Sequence, residues 1–291
     1  ISQFIKHERK NPSDLIEIHN RPNYLKFLVN NLNKRVYTLF FHNDPLTMVG
    51  SKSVDERKYL LKNCYRIIFN SNWSKKRFLE KMENKFINSE KLQVAFQSTV
   101  KPSNININRK KNWITFVGKL NRAKGYDIFG KSVLKILNKF PDWQAKIVGD
   151  ERREEINFHH KNLNKLGFLK HSDVLEIFKK TSIAVVCSRW DEPFGRTSLE
   201  AAANGCAVII TNKGGLPETI TNGIILDNLS VNQLEKSIKD LIIKTKKRKN
   251  LQELSLKNFY LTNKFVSRLI DDYRDLKLNL QKNFFIKKKK K

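Results

Sequence analysis

The sequence is short of several things at once, and each shortage closes off a class of protein. No window holds the roughly 18 uncharged apolar residues that a membrane-spanning helix needs. The longest apolar runs, IAVVC at 183–187 and AVII at 207–210, have the length of buried strands. Cysteine is scarce: Cys64, Cys187 and Cys206 are the three, with no close-spaced pair. That argues against a disulfide framework and against a zinc site of Cys/His spacing, and it fits a reducing cytosol. Glycine is nearly missing from the front of the chain, where Gly50 is the single example between Ile1 and Gln97. A self-sufficient dinucleotide-binding domain usually opens with a strand and a Gly-rich turn, and the first 97 residues do not contain one. Acidic residues number 28 against 57 basic ones, a net charge of +29. Such an excess calls for an anionic partner or a tolerant solvated surface. The opening stretch SQFIKHERKNPSD after Ile1 has no apolar core of the signal-peptide kind, and the expectation is that the true start is missing. No Ser/His/Asp arrangement or Walker-type loop is found either.

What the chain does have is rhythm. Nine short runs rich in β-branched and aromatic residues, from DLIEIH through VYTLFF, YRIIFN, LQVAF, WITFVG, WQAKIVG, SIAVVC and CAVIIT to GIILD, alternate with amphipathic segments. Buried-strand runs separated by helical ones are how βαβ units and parallel sheets read, so the fold class is α/β. The polar stretch between LQVAF and WITFVG contains Pro102 and no apolar periodicity, which marks a linker at 98–112. It separates a partial domain at 1–97 from a complete doubly wound one at 113–261 with five strand candidates. An amphipathic helix over 262–280 follows, with Phe265, Leu269, Tyr273 and Leu276 at helical spacing, and then a basic tail at 281–291.

The chemistry concentrates where a strand meets a loop and a helix. After SIAVVC comes SRWDEPFGRTSLEAAANG, and this order places a helix N-terminus, with its unpaired N–H groups and positive dipole end, beyond the carboxyl end of a strand. Gly195 offers backbone access, and Arg196 and Thr197 open the helix. Glu192 in the loop and Glu200 on the helix can both face one cleft and accept hydrogen bonds from ligand hydroxyls. The small residues after Glu200 point to close packing of this helix on the sheet. A second element, WITFVGKLNRAKG, ends its strand in Gly118 and follows it with Lys119 and Lys124, two cations suited to a diphosphate. The strand of WQAKIVGD ends in Gly149, and Asp150 begins a loop that can border the same cleft.

Together, EPFGRTSLEAAANGCAVIITNKGGLPETI, VGKLNRAKG and IVGD resemble the donor domain of glycosyltransferase family 4, the retaining GT-B enzymes; FFHNDP and IIFNSNWSKKRF match more loosely. The resemblance implies two Rossmann-like domains with parallel sheets, the N-terminal one incomplete. It also implies transfer of a sugar from a nucleotide-diphosphate donor to a lipid-linked or polysaccharide acceptor in envelope glycan or lipopolysaccharide synthesis. By residue, it implies that Glu192 contacts the donor sugar region and Glu200 the ribose. Phe194, Gly195, Arg196 and Thr197 lie by the donor phosphates, with Gly118 beneath. Lys119 and Lys124 grip the diphosphate, the first replacing a more usual arginine, and His42 faces the donor sugar. His19 lines the acceptor side, and base contacts come from backbone around Gly167 to Lys170. No cofactor and no metal is implied. Replacing Lys119 or Lys124 is expected to lower turnover more than stability. The basic tail from Phe284 suits an anionic membrane surface, so the reading is a cytoplasmic protein peripheral to the inner face of the membrane. Two alternatives stay open: a truncated or degenerate GT-B protein that binds nucleotide without turnover, and a basic nucleic-acid-binding protein, although Trp113, Phe116 and Trp143 read as core, so no nucleic acid is the expected partner.

Overall fold

In the computed structural model residues 1–32 and 34–274 are described. They form two compact units, Ile1–Gln97 together with the chain from Lys264, and Ser98–Asn263. Asp275, Leu276 and the basic tail from Phe284 to Lys291 lie outside the described residues.

The first unit runs α1 (Ser2–Lys10), β1 (Ile16–His19), α2 (Asn23–Asn31), β2 (Tyr37–Phe41), α3 (Val54–Asn63), β3 (Arg66–Phe69), α4 (Asn72–Leu79) and β4 (Leu92–Val94). Its four strands lie parallel in the order β1-β2-β3-β4. The helix starts are written into the sequence. Ser53 and Glu56 form a reciprocal capping box at α3 (3.1 and 2.9 Å), and Ser71 accepts from the Ser74 N–H at α4 (2.9 Å). Leu25, Leu39, Phe41, Ile67, Phe69 and Phe78 fill the core on one face of the sheet. On the other face Phe40, Ile68 and Ala95 meet Leu269, Ile270 and Tyr273 of the helical residues 263–274. This docking is pinned by polar contacts: Tyr273 Oη donates to the Val94 carbonyl (3.1 Å), and Arg274 makes a two-point pair with Glu17 (2.8 and 2.8 Å). Of the expected helix stripe, Leu269 and Tyr273 pack, whereas Phe265 is 45% exposed. The inward stripe is the buried Val266 with the partly buried Leu269, Ile270 and Tyr273, the i, i+3, i+4, i+7 pattern, and Phe265 falls beside it.

The second unit holds β5 (Lys111–Val117), α5 (Tyr126–Lys139), β6 (Gln144–Val148), β7 (Leu163–Lys165), α6 (His171–Lys180), β8 (Thr181–Val186), α7 (Arg196–Ala203), β9 (Ala207–Thr211), β10 (Ile224–Leu226), α8 (Val231–Ile243) and α9 (Thr245–Asn258). Its six strands are all parallel in the order β10-β9-β8-β5-β6-β7, so the chain winds outward from β5 to β7 and returns to β8 on the far side of β5. That is the doubly wound order of dinucleotide-binding domains. Alternate residues of β5, β8 and β9 serve opposite faces. Ile114, Ile183 and Ile209 pack with Phe129, Val133 and Ile238 on one side, and Ala184, Val208 and Ile210 with Phe178, Ala201 and Ala202 on the other.

Two features depart from the expectations. Leu163–Lys165 is a sixth strand where none is expected. It is a three-residue edge strand, and Asn164 accepts from Lys146 Nζ (2.6 Å), so it carries no apolar run to betray it. The stretch 98–112 is tied to the second unit near both of its ends. Thr99 N–H donates to the Leu261 carbonyl (3.1 Å), and Lys110 Nζ donates to the carbonyls of Phe178, Lys179 and Asn204 (3.1, 3.3 and 2.8 Å). The strand itself begins at Lys111, before Trp113. Polar composition marked a break in apolar patterning, but the lysine reaches three helix-terminal carbonyls that need a cation.

Candidate functional site

In the second unit β5 and β8 are neighbours whose following helices cover opposite faces, and open parallel sheets hold ligands beyond such a switch point. A cavity of about 420 Å³ opens at the strand ends. Gly118 and Lys119 after β5, Gly149 and Asp150 after β6, Phe168 and His171 at the entry to α6, and Glu200 of α7 line it. Glycine is needed at the second strand end: Gly149 has φ +129°, and a Cβ there would stand 1.9 Å from the Gly118 carbonyl oxygen. The backbones of Gly118 and Gly149 therefore lie against each other at this side of the cavity.

Glu200 sits in the second turn of α7 with only 6% of its surface exposed. A carboxylate so buried must be met by donors. His171 Nε2 lies 2.9 Å and Arg196 Nη2 3.1 Å from the same oxygen, Oε1. Ala201 to Ala203 behind it are buried, and the helix presses close to the sheet as its small residues imply. Gly195 starts the helix at φ +116°, where a Cβ would meet Leu216 at 2.5 Å. Thr197 is partly exposed and Arg196 exposed at this end, but Phe194 is 1% exposed, so it is a core residue.

Glu192 and Lys124, 68 positions apart, form a close ion pair between the loops after β8 and β5. The two loops that carry them are stitched together. The N–H groups of Arg189 and Trp190 both donate to the Ala123 carbonyl (2.9 and 3.2 Å), and Arg189 makes a two-point pair with Asp127 (2.6 and 2.8 Å). Burial would raise the Asp127 pKa, but the Arg189 hydrogen bonds and charge outweigh it and hold the carboxyl below its ordinary range. Cys187, buried under the same turn, has its thiol pushed up to about 12 by burial, which leaves it unreactive. Of the two glutamates, Glu200 lines this cavity, while Glu192 is paired with Lys124 and its backbone carbonyl accepts from Gly215 N–H at 2.6 Å.

In the first unit, His42 follows β2 and His19 ends β1. Their rings stack with centroids 5.4 Å apart, and Nδ1 of His19 lies 3.1 Å from Nε2 of His42. Burial, then the neighbouring His19, lowers the His42 pKa, so the ring is neutral near pH 7. Among the expected residues the structure thus gathers Gly118, Lys119 and Glu200 at one cavity, pairs Lys124 with Glu192, and sets His42 with His19. His171 was not expected. It opens α6 directly after Lys170, with no spacing relation to Glu200, and only the packing of α6 beside α7 brings the two together.

A doubly wound domain with a cavity at the ends of β5 and β6 and a buried, hydrogen-bonded carboxylate on α7 has the architecture of nucleotide-binding α/β domains. The chain belongs to the glycosyl transferases group 1 family, whose pattern matches residues 97–257. It is 31% identical over 162 residues to spore coat protein SA of Bacillus subtilis, covering 50% of this chain and 43% of that protein. It is 26% identical over 147 residues to the lipopolysaccharide core biosynthesis mannosyltransferase LpsB of Rhizobium meliloti, covering 47% and 42%. The matches thus span less than half the length of these two relatives. In three dimensions it is similar to HepE of Anabaena in complex with UDP, with a TM-score of 0.74, 18% identity, and coverage of 94% of this chain and 81% of that one. The fold is GT-B, with two Rossmann-like domains built on parallel sheets. No described helix is long and apolar enough to cross a membrane.

Proposed function

We propose that this chain carries the donor site of a retaining transferase of glycosyltransferase family 4, which moves a hexose from a nucleotide-diphosphate sugar to a glycan or lipid-linked acceptor in envelope glycan or lipopolysaccharide synthesis. The observation that carries the reading is the buried Glu200 carboxylate lining a cavity at the ends of β5 and β6. An ionised carboxylate there offers two acceptor oxygens to ribose hydroxyls, a stronger acceptor than a neutral carbonyl and one that a cation cannot replace. Lys119 at the same cavity supplies charge to a diphosphate, and the N–H groups opening α7 at Arg196 and Thr197 add to it. Lys124 acts on the leaving group from its pair with Glu192, whose carboxylate keeps the sugar-facing role that the resemblance implies. The Gly167 to Lys170 loop offers backbone to the base. His42 retains its assignment to the donor sugar, and no nucleophile, metal or cofactor enters the scheme. The basic tail from Phe284, with three apolar residues and five lysines, is assigned to an anionic lipid surface.

The test is a donor panel. UDP-, GDP- and ADP-hexoses are offered to the purified chain with methyl glycosides as acceptors, and release of nucleoside diphosphate is followed. Release that requires one base and falls on replacing Lys119 supports the reading. Saturable nucleotide binding without release from any donor supports the alternative of a binding protein without turnover, and absence of both removes the proposal.

A further inference from the structure

We infer that His171 is a positioning residue for Glu200, donating from Nε2 to Oε1 so that the other carboxylate oxygen is held toward the hydroxyls of a bound nucleoside. The inference rests on reading the cavity as a nucleotide site. An ionised carboxylate only accepts, so at 2.9 Å the shared proton belongs to the imidazole Nε2. Oε1 is held from two directions, by Arg196 one turn earlier on the same helix and by His171 from the first position of α6. Arg196 moves with Glu200. His171 comes from a different helix, and it is the contact that fixes the carboxylate relative to the far wall of the cavity, which it forms together with Phe168 and Leu169.

A purely structural tie between α6 and α7 is a poorer account of this contact. Those helices already meet through Val174, Phe178, Ala201 and Ala202, all buried. The His171 side chain, by contrast, is 58% exposed at the cavity and adds little to that packing. A hydrogen bond made at the open edge of a site, by a group that the fold does not need there, serves the geometry of what binds.

The experiment compares His171→Ala with His171→Gln, because the glutamine Nε2 amide donates from nearly the position of the imidazole Nε2. UDP, GDP and ADP are titrated by calorimetry into the parent and both variants. His171→Ala is expected to bind the accepted nucleotide about fivefold to tenfold more weakly, the loss of one hydrogen bond to a charged group in a half-open site. Its melting temperature should stay at the parent value, and His171→Gln should recover most of the affinity. In long-range proton–nitrogen spectra of the free parent, His171 should show its proton on Nε2, and Glu200→Gln should shift both ring nitrogens. An Nδ1–H tautomer, equal binding by His171→Ala, or a glutamine variant no better than the alanine one overturns the inference and leaves the site reading standing. A parent that binds none of the three nucleotides overturns the reading of the site, and the inference with it.

Discussion

Lys119 and Lys124 look alike in the sequence, two cations in one βα turn, and there both are expected to matter for turnover and hardly for stability. The structure separates them. Lys124 is paired with Glu192, the two side chains being 34% and 14% exposed, so Lys124→Ala leaves a mostly buried carboxylate without its cation. Exposed pairs are worth about 0–1 kcal/mol, and stripping one partner from a fully buried pair costs about 3–5 kcal/mol. The intermediate burial here places the loss at about 1–2 kcal/mol. For a domain of this size that is a fall in melting temperature of about 3–6 °C. Glu192→Gln alone leaves a better-solvated lysine and should cost less. The double variant should recover most of the Lys124→Ala loss, with a coupling of about 1 kcal/mol in the cycle. Differential scanning calorimetry on the four proteins measures it. A Lys124→Ala variant melting with the parent, or a double variant no better than Lys124→Ala, refutes the reasoning.

Lys119 is exposed at the cavity, so Lys119→Ala should lower nucleoside diphosphate release about tenfold or more while the melt stays put, as befits a charge acting on a developing leaving group; equal release by the variant removes that role. His42 gives a pH signature in the first unit. Its folded pKa lies below the ordinary 6.5 because of burial and His19, so the stability it contributes is full above that value and is lost as pH falls through the folded pKa. Urea midpoints measured at pH 7.5, 6.5 and 5.5 should therefore fall more steeply for the parent than for His42→Gln, and parallel slopes contradict the assignment. For the tail, deletion of residues 284–291 should reduce co-sedimentation with anionic vesicles and flatten its salt dependence; equal binding by the deleted form moves the contact elsewhere.

How much of this was legible in the sequence follows from which contacts are local. Each strand expected from a β-branched run is present, because such runs fit a buried pleated position whatever surrounds them. The order of strand, glycine and helix around Gly118 and Gly195 located the strand-end loops, since a phosphate-type site depends on backbone geometry that glycine reports directly. The missed pieces depend on partners distant along the chain. Leu163–Lys165 is a strand because β6 offers an edge to it, and three residues containing Asn164 have no period to read. Glu192 pairs with Lys124 across 68 positions, and His171 reaches Glu200 across 29. Both meetings are set by how loops and helices stack, which no spacing rule encodes. Phe194 was grouped with the ligand contacts because it stands inside the motif, yet it is buried; apolar residues in such a turn anchor the loop to the core while their polar neighbours face outward.

The account turns on Glu200. Glutamine there keeps the size of the side chain and an oxygen able to accept from His171 and Arg196, but removes the charge offered to a ribose hydroxyl. Calorimetric titration of UDP, GDP and ADP into the parent and Glu200→Gln is the direct measurement. The account predicts that the accepted nucleotide binds the folded variant more weakly by about 1.5–3 kcal/mol, roughly 10- to 150-fold; a folded Glu200→Gln protein that binds the same nucleotide with the parent's affinity contradicts it.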